Sequence, residues 1–142
     1  MIEIEPKTFS ETYGKVFEPK ICPPFLKRGK VGDCFDCVLI NALMFEGFKY
    51  VEGVARSPTT GEWLHHAWLT DEKERFAYDV TWKAYNKFTH EEMPVPTKYV
   101  GIVLDKMLVA KLVKDTEYNS VFKSGWRSPE ILKELLRPIY EK

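Results

Sequence analysis

The chain has 142 residues, enough for one domain that buries its own core without disulfide staples. Its 21 basic residues balance 21 acidic ones, which removes the bulk cationic field that draws a domain to nucleic acid or an anionic membrane surface. No stretch approaches the roughly 18–20 consecutive apolar residues of a membrane span, and residues 1–20 hold no signal-like apolar run, so neither a nucleic-acid nor a membrane partner is expected.

No repeat or low-complexity tract divides the sequence, so residues 1–142 read as a single domain. Residues 1–31 are polar with scattered aromatics, and Pro23 and Pro24 forbid a helix there, which predicts an N-terminal arm or loop. From Cys34, "CFDCVLINALMFEG" spaces its apolar residues as one stripe of a helix, with Asp33 able to cap its start and Gly47 its end. "FKYVEGVARS", "EWLHHAWLTD" and "RFAYDVTWKAY" are rich in aromatic and β-branched residues, and the separators "PTTGE" and "DEKE" make them strands joined by hairpins. The proline-interrupted loop "HEEMPVPTK" leads to a strand "YVGIVL". Helical patterns follow in "DKMLVAKLVKD" and, after the Ser128-Pro129 start signal, in "SPEILKELLRPIY". The expected fold is α+β: a core over 32–104 in which a helix packs on an antiparallel sheet, and a C-terminal helical part over 105–142.

Reactive residues concentrate at two places. A hairpin turn centred on Glu72 and Lys73 places His66 opposite Asp79 on one face, where the carboxylate can accept the imidazole Nδ1 proton, fix the tautomer and stabilise the imidazolium. Ala67, Leu69, Phe76, Tyr78 and Val80 then share the other face. A thiol at the first turn of a helix meets unsatisfied N–H groups and the positive end of the dipole, which favour the thiolate, and those N–H groups can also stabilise an oxyanion. Cys34 occupies such a position, whereas Cys37, one turn further in among apolar residues, reads as packing. The expected arrangement is a solvent-reachable pocket with Cys34 as nucleophile, His66 as general base and Asp79 as its orienter.

The ordered set "GDC" at Cys34, "YVEG" at 50–53, "HAW" at 66–68 and "YDVTW" at 78–82 resembles the core of the transglutaminase-like superfamily, within the broader papain-like cysteine-enzyme class. It is also similar to short phage and bacterial proteins with a CF…NA…YVEG…HAW…DPTW pattern. The resemblance covers Gly32 to Trp82 and implies the same three roles for Cys34, His66 and Asp79, with Trp68 and Trp82 as structural neighbours. It implies a thiol-dependent hydrolase or acyltransferase that opens an amide or ester of an acyl-bearing substrate, with no cofactor and no metal. Val80 stands where that family has proline, and the chain contains no glutamine to serve as a side-chain oxyanion donor. A backbone amide, the indole of Trp63 or Trp126, or a tyrosine hydroxyl must take that part.

The same residues also fit other readings. Cys34 and Cys37 have the Cys-x-x-Cys form of a redox pair, and with Cys22, His65 or His66 they could complete a zinc site. His65 should point away from His66, toward surface or core, and His90 falls in a polar loop. A catalytically inactive transglutaminase-like module, of phage type and acting by binding a host partner, is the non-enzymatic alternative. An odd number of cysteines fits a reducing compartment, which makes a cytoplasmic location the expectation.

Overall fold

The computed structural model describes residues 4–29, 34–82, 96, 98–114 and 120–141. In chain order these form α1 (Pro6–Tyr13), β1 (Lys15–Lys20), α2 (Cys34–Met44), β2 (Lys49–Arg56), β3 (Trp63–Thr70), β4 (Phe76–Tyr78), β5 (Tyr99–Leu104), α3 (Lys106–Val113), α4 (Val121–Ser124), a 3-10 turn (Gly125–Arg127) and α5 (Pro129–Tyr140). The class is α+β as expected, but the strands close into a barrel in the order β1-β4-β3-β2-β5 instead of forming the papain-like antiparallel sheet that the resemblance implies. Among the described residues no helix is long and apolar enough to cross a membrane.

The predicted N-terminal arm supplies the strand that closes the barrel. β1 runs antiparallel to β5, with Val16 opposite Val100, and parallel to β4, with Glu18 opposite Phe76. Its sequence, KVFEPK, buries only Phe17 and contains a proline, so neither alternation nor propensity marks it as a strand. α1 is held by Pro6 at its first turn and by the Glu5 carboxylate, which accepts from the Lys7 and Thr8 amides. Pro23 and Pro24 do lie outside any helix.

Alternation along the strands divides the core in two. Phe17, Val51, Ala55, Trp68, Ala77 and Tyr99 pack together inside the barrel, with Trp82 and Val103 against them. Tyr50, Ala67, Leu69, Tyr78, Ile102 and Leu104 face outward, under Val38, Leu39 and Ala42 of α2 and residues of α3, α4 and α5. So small a barrel holds a tryptophan because two glycines face each other beside it. Gly53 pairs with Gly101, and a Cβ on Gly101 would lie 2.8 Å from Trp68 Cη2 and Cζ2.

The hairpin between β3 and β4 also departs from the two-residue turn expected at Glu72 and Lys73. Asp71 organises a wider loop: its carboxylate Oδ1 accepts from the Arg75 amide at 2.8 Å and the Phe76 amide at 3.3 Å, while Glu74 takes the left-handed conformation at φ 57°. Leu69 therefore faces Tyr78, an offset of two residues from the expected register. An even offset keeps every side chain on its expected face. The strand predicted over 75–85 ends at Tyr78, and Asp79 starts a bend.

α2 begins at Cys34 as predicted and ends at Met44, short of Gly47. The proposed cap Asp33, like Gly32, His90 and most of the "HEEMPVPTK" loop, lies outside the described residues. Asn41 ties the helix to the preceding segment: its Oδ1 accepts from the Lys27 amide at 2.8 Å, and its Nδ2 donates to the Lys27 carbonyl at 2.9 Å.

Candidate active site

His66 lies on the inward-facing side of β3, in step with Trp68, and Asp79 directly follows β4. Their side chains meet, with His66 Nε2 2.8 Å from Asp79 Oδ2. The sequence reading assigns this bond to Nδ1; the structure makes it through Nε2, because the ring presents that edge to the bend after β4. Cys34, at the first residue of α2, stands against the same ring, close enough to act on it through hydrogen bonding and charge. Three residues from α2, β3 and the end of β4 are thus brought together.

Asp79 is held on every side. Its Oδ1 accepts from the backbone amides of Thr81 at 3.1 Å and Trp82 at 2.9 Å, so the bend locks one oxygen in place. Its Oδ2 accepts the Tyr99 hydroxyl at 2.8 Å and faces His66. The Asp79 carbonyl is reached by the Cys22 thiol at 3.3 Å and by Arg28 Nη1 at 3.5 Å. The Trp82 ring closes the other side of the imidazole, edge-on at 5.2 Å.

This environment sets the charge states. Burial penalises a charged Asp79, but the His66 charge and bond, the Trp82 amide and the Tyr99 hydroxyl outweigh it and hold the carboxyl below its ordinary range. Burial likewise pulls the imidazolium down. The Asp79 charge and hydrogen bond, with a contribution from Cys34, reverse that and push His66 up to about 9. Burial and the Asp79 charge raise the Tyr99 phenol well above its usual value, so it stays a donor.

All three groups are buried: Cys34 is 5% exposed, His66 3% and Asp79 5%. Both chain segments that adjoin it, 30–33 before Cys34 and 83–95 after Trp82, lie outside the described residues.

The neighbouring histidine points the other way, as alternation requires. His65 lies 2.8 Å from Glu52 Oε2 and stacks on Phe122 at 5.4 Å. Because His65 and His66 occupy opposite faces of β3, they cannot join one zinc set. Among the described residues no group of three His, Cys, Asp or Glu side chains is placed to hold a metal. Cys37 is half-buried, its thiol donating to the Lys27 carbonyl at 3.4 Å beside Gly29. Of the indoles considered as oxyanion donors, Trp126 already donates to the Lys123 carbonyl at 3.0 Å, and Trp63 shares the outward parity of His65.

Sequence reasoning missed Tyr99, Asn41 and Glu52. Nothing in "YVGIVL" distinguishes Tyr99 from a packing aromatic. Glu52 did carry a signal, a carboxylate inside an apolar strand, and such a group must find partners or leave the core. Searches against protein-family models, curated proteins and solved structures gave no match to this chain. No family is shown by comparison.

Proposed function

We propose that the protein is a thiol-dependent hydrolase or acyltransferase with Cys34 as nucleophile, His66 as acid–base and Asp79 as orienter, built on a transglutaminase-like core. The observation that carries this reading is the Asp79 carboxylate, committed through both oxygens to hold one edge of a ring whose neighbour is a thiol. With Nε2 engaged by Asp79, Nδ1 is the nitrogen that exchanges a proton with Cys34. The Cys34 thiolate attacks the carbonyl of an amide or ester, and the imidazolium delivers its proton to the leaving nitrogen or oxygen as a thioester forms. Water or an amine then attacks the thioester, His66 takes its proton, and the acid or new amide departs while Cys34 regains its hydrogen. An acyl-bearing substrate is required, and no metal or cofactor enters the steps. An odd number of cysteines accords with a cytoplasmic setting.

The near-complete burial of the three groups favours a second reading, an inactive binding module of the same fold acting on a host partner. Thiol labelling separates the two. Cys37 is the more exposed cysteine, whereas Cys34 and Cys22 are both buried, so access alone directs iodoacetamide to Cys37 first. An active site reverses that order, and mass spectrometry after limited labelling at neutral pH should find Cys34 modified ahead of Cys37. Labelling that follows exposure, with no acylation of Cys34 by a thiol-reactive acyl probe, supports the binding module.

A further inference from the structure

Away from Cys34, His66 and Asp79, α5 borders a cleft of about 630 Å³ that runs from Trp126, just before the helix, to Glu141 past its end. Leu132, Leu136 and Tyr140, each one turn from the next, form its apolar floor. Lys133 and Arg137, also one turn apart, line the same cleft, and among the described residues neither is ion-paired. The Trp126 N–H is already taken by the Lys123 carbonyl at 3.0 Å, so the indole offers the cleft apolar surface.

Volume and charge together narrow the occupant. The cleft falls within the roughly 300–1,000 Å³ of small-molecule sites, while a protein partner ordinarily engages about 20–30 residues a side. An apolar body suits Leu132, Leu136 and Tyr140, and two cations against the single carboxylate of Glu141 select a negative head group. The geometry points to a binding site for a soluble amphiphilic carboxylate, its chain along α5 and its head on Lys133 and Arg137.

The test is a ¹H–¹⁵N NMR titration of the full chain with decanoate, decan-1-ol and decylammonium, each kept monomeric. Decanoate should give saturable shifts of the Trp126 indole N–H and of the α5 amides, and decylammonium should not. The double variant Lys133→Ala/Arg137→Ala, two exposed positions where folding is not at stake, should weaken decanoate about tenfold or more and leave decanol unchanged. Equal shifts by all three probes, or an unaltered decanoate affinity in the double variant, would overturn the assignment. So would co-sedimentation with phosphatidylglycerol vesicles in the absence of decanoate binding, which would mark a membrane-facing surface instead. None of the lining residues belongs to the Cys34 site, so the outcome is independent of the thiol chemistry.

Discussion

Replacing Glu52 by glutamine should cost this protein about 2–5 kcal/mol, because one buried donor is orphaned and the remaining bonds lose their charge. Glu52 is fully buried and accepts five hydrogen bonds. Oε1 takes the Tyr50 hydroxyl at 2.7 Å and the Val121 amide at 2.8 Å; Oε2 takes the Ser120 hydroxyl at 2.7 Å, the Phe122 amide at 2.8 Å and His65 Nε2 at 2.8 Å. A hydroxyl or a neutral imidazole can turn to accept from a new amide NH₂, but a backbone N–H cannot. Whichever way the glutamine is flipped, its NH₂ meets the N–H of Val121 or of Phe122, so one donor is left facing another. That orphan costs about 1–3 kcal/mol, and the remaining bonds lose the charge that strengthened them. Urea unfolding followed by tryptophan fluorescence at pH 7 should show the loss, with Tyr50→Phe as a control that removes one bond and costs about 1.5–3 kcal/mol. Burial raises the Glu52 pKa, but His65, the Phe122 amide and Ser120 bring it below the ordinary 4.5, so its contribution is complete above pH 4.5 and fades as the pH falls through the depressed value. The gap between wild type and Glu52→Gln should narrow over that acid window. A gap below about 1 kcal/mol at neutral pH, smaller than that of Tyr50→Phe, would refute the account of Glu52 as the anchor of α4.

Asp79→Asn should lower the His66 pKa from about 9, because the Asp79 charge and bond are what chiefly offset burial; histidine ring NMR across pH reads this directly, and an unmoved titration would show that Asp79 is not the cause. In wild type the stability tied to His66 is complete below pH 6.5 and is lost as the pH rises through about 9, so the destabilisation by Asp79→Asn should shrink over that alkaline window. Tyr99→Phe keeps the ring against Trp68 and removes only the bond to Asp79, which should cost about 1.5–3 kcal/mol in urea unfolding; a change within about 0.5 kcal/mol would reduce Tyr99 to packing. Gly101→Ala should cost about 1–3 kcal/mol through overpacking on the enclosed Trp68, measured the same way, and a neutral result would mean the barrel interior yields. Cys34→Ala should abolish turnover and acyl-probe labelling while far-UV dichroism stays native, whereas Cys37→Ala should alter stability and keep labelling.

The parts of this fold that were legible in the sequence are those where burial imprints a period. β2, β3 and β5 carry runs of β-branched and aromatic residues bounded by turns, and α5 follows a Ser-Pro start, so each appears close to its expected span. The meeting of His66 and Asp79 was legible for a subtler reason: a hairpin register wrong by two still keeps parity, and parity decides which face a side chain takes. What escaped was everything fixed by partners far along the chain. β1 is a strand because β4 and β5 offer it edges, not because KVFEPK prefers to be one. The Tyr99 hydroxyl reaches Asp79 from β5, and no local spacing links two residues 20 apart, one in the bend after β4 and one on another strand. The atom that bonds Asp79 depends on the approach of the ring to the bend after β4, which a flat ladder does not describe.

The adjacent histidines explain how the first turn of α2 is placed. Phe35 packs on the His65 ring at 4.7 Å, on the outer face of β3, while Cys34, one residue earlier, is near enough to His66 to raise its pKa. Neither contact alone would fix the helix, since a rotation about its axis could keep one and lose the other. Together they hold the helix start against β3. Each histidine is itself immobilised by a buried carboxylate, Glu52 outside and Asp79 inside, and Glu52 is in turn fastened to the amides that open α4. The outer carboxylate therefore acts on the thiol at second hand: loosening Glu52 frees His65, then Phe35, and so the position of Cys34 relative to His66. On this reasoning a Glu52→Gln protein that still folds should label more slowly at Cys34 than wild type, even though Glu52 touches neither Cys34 nor His66.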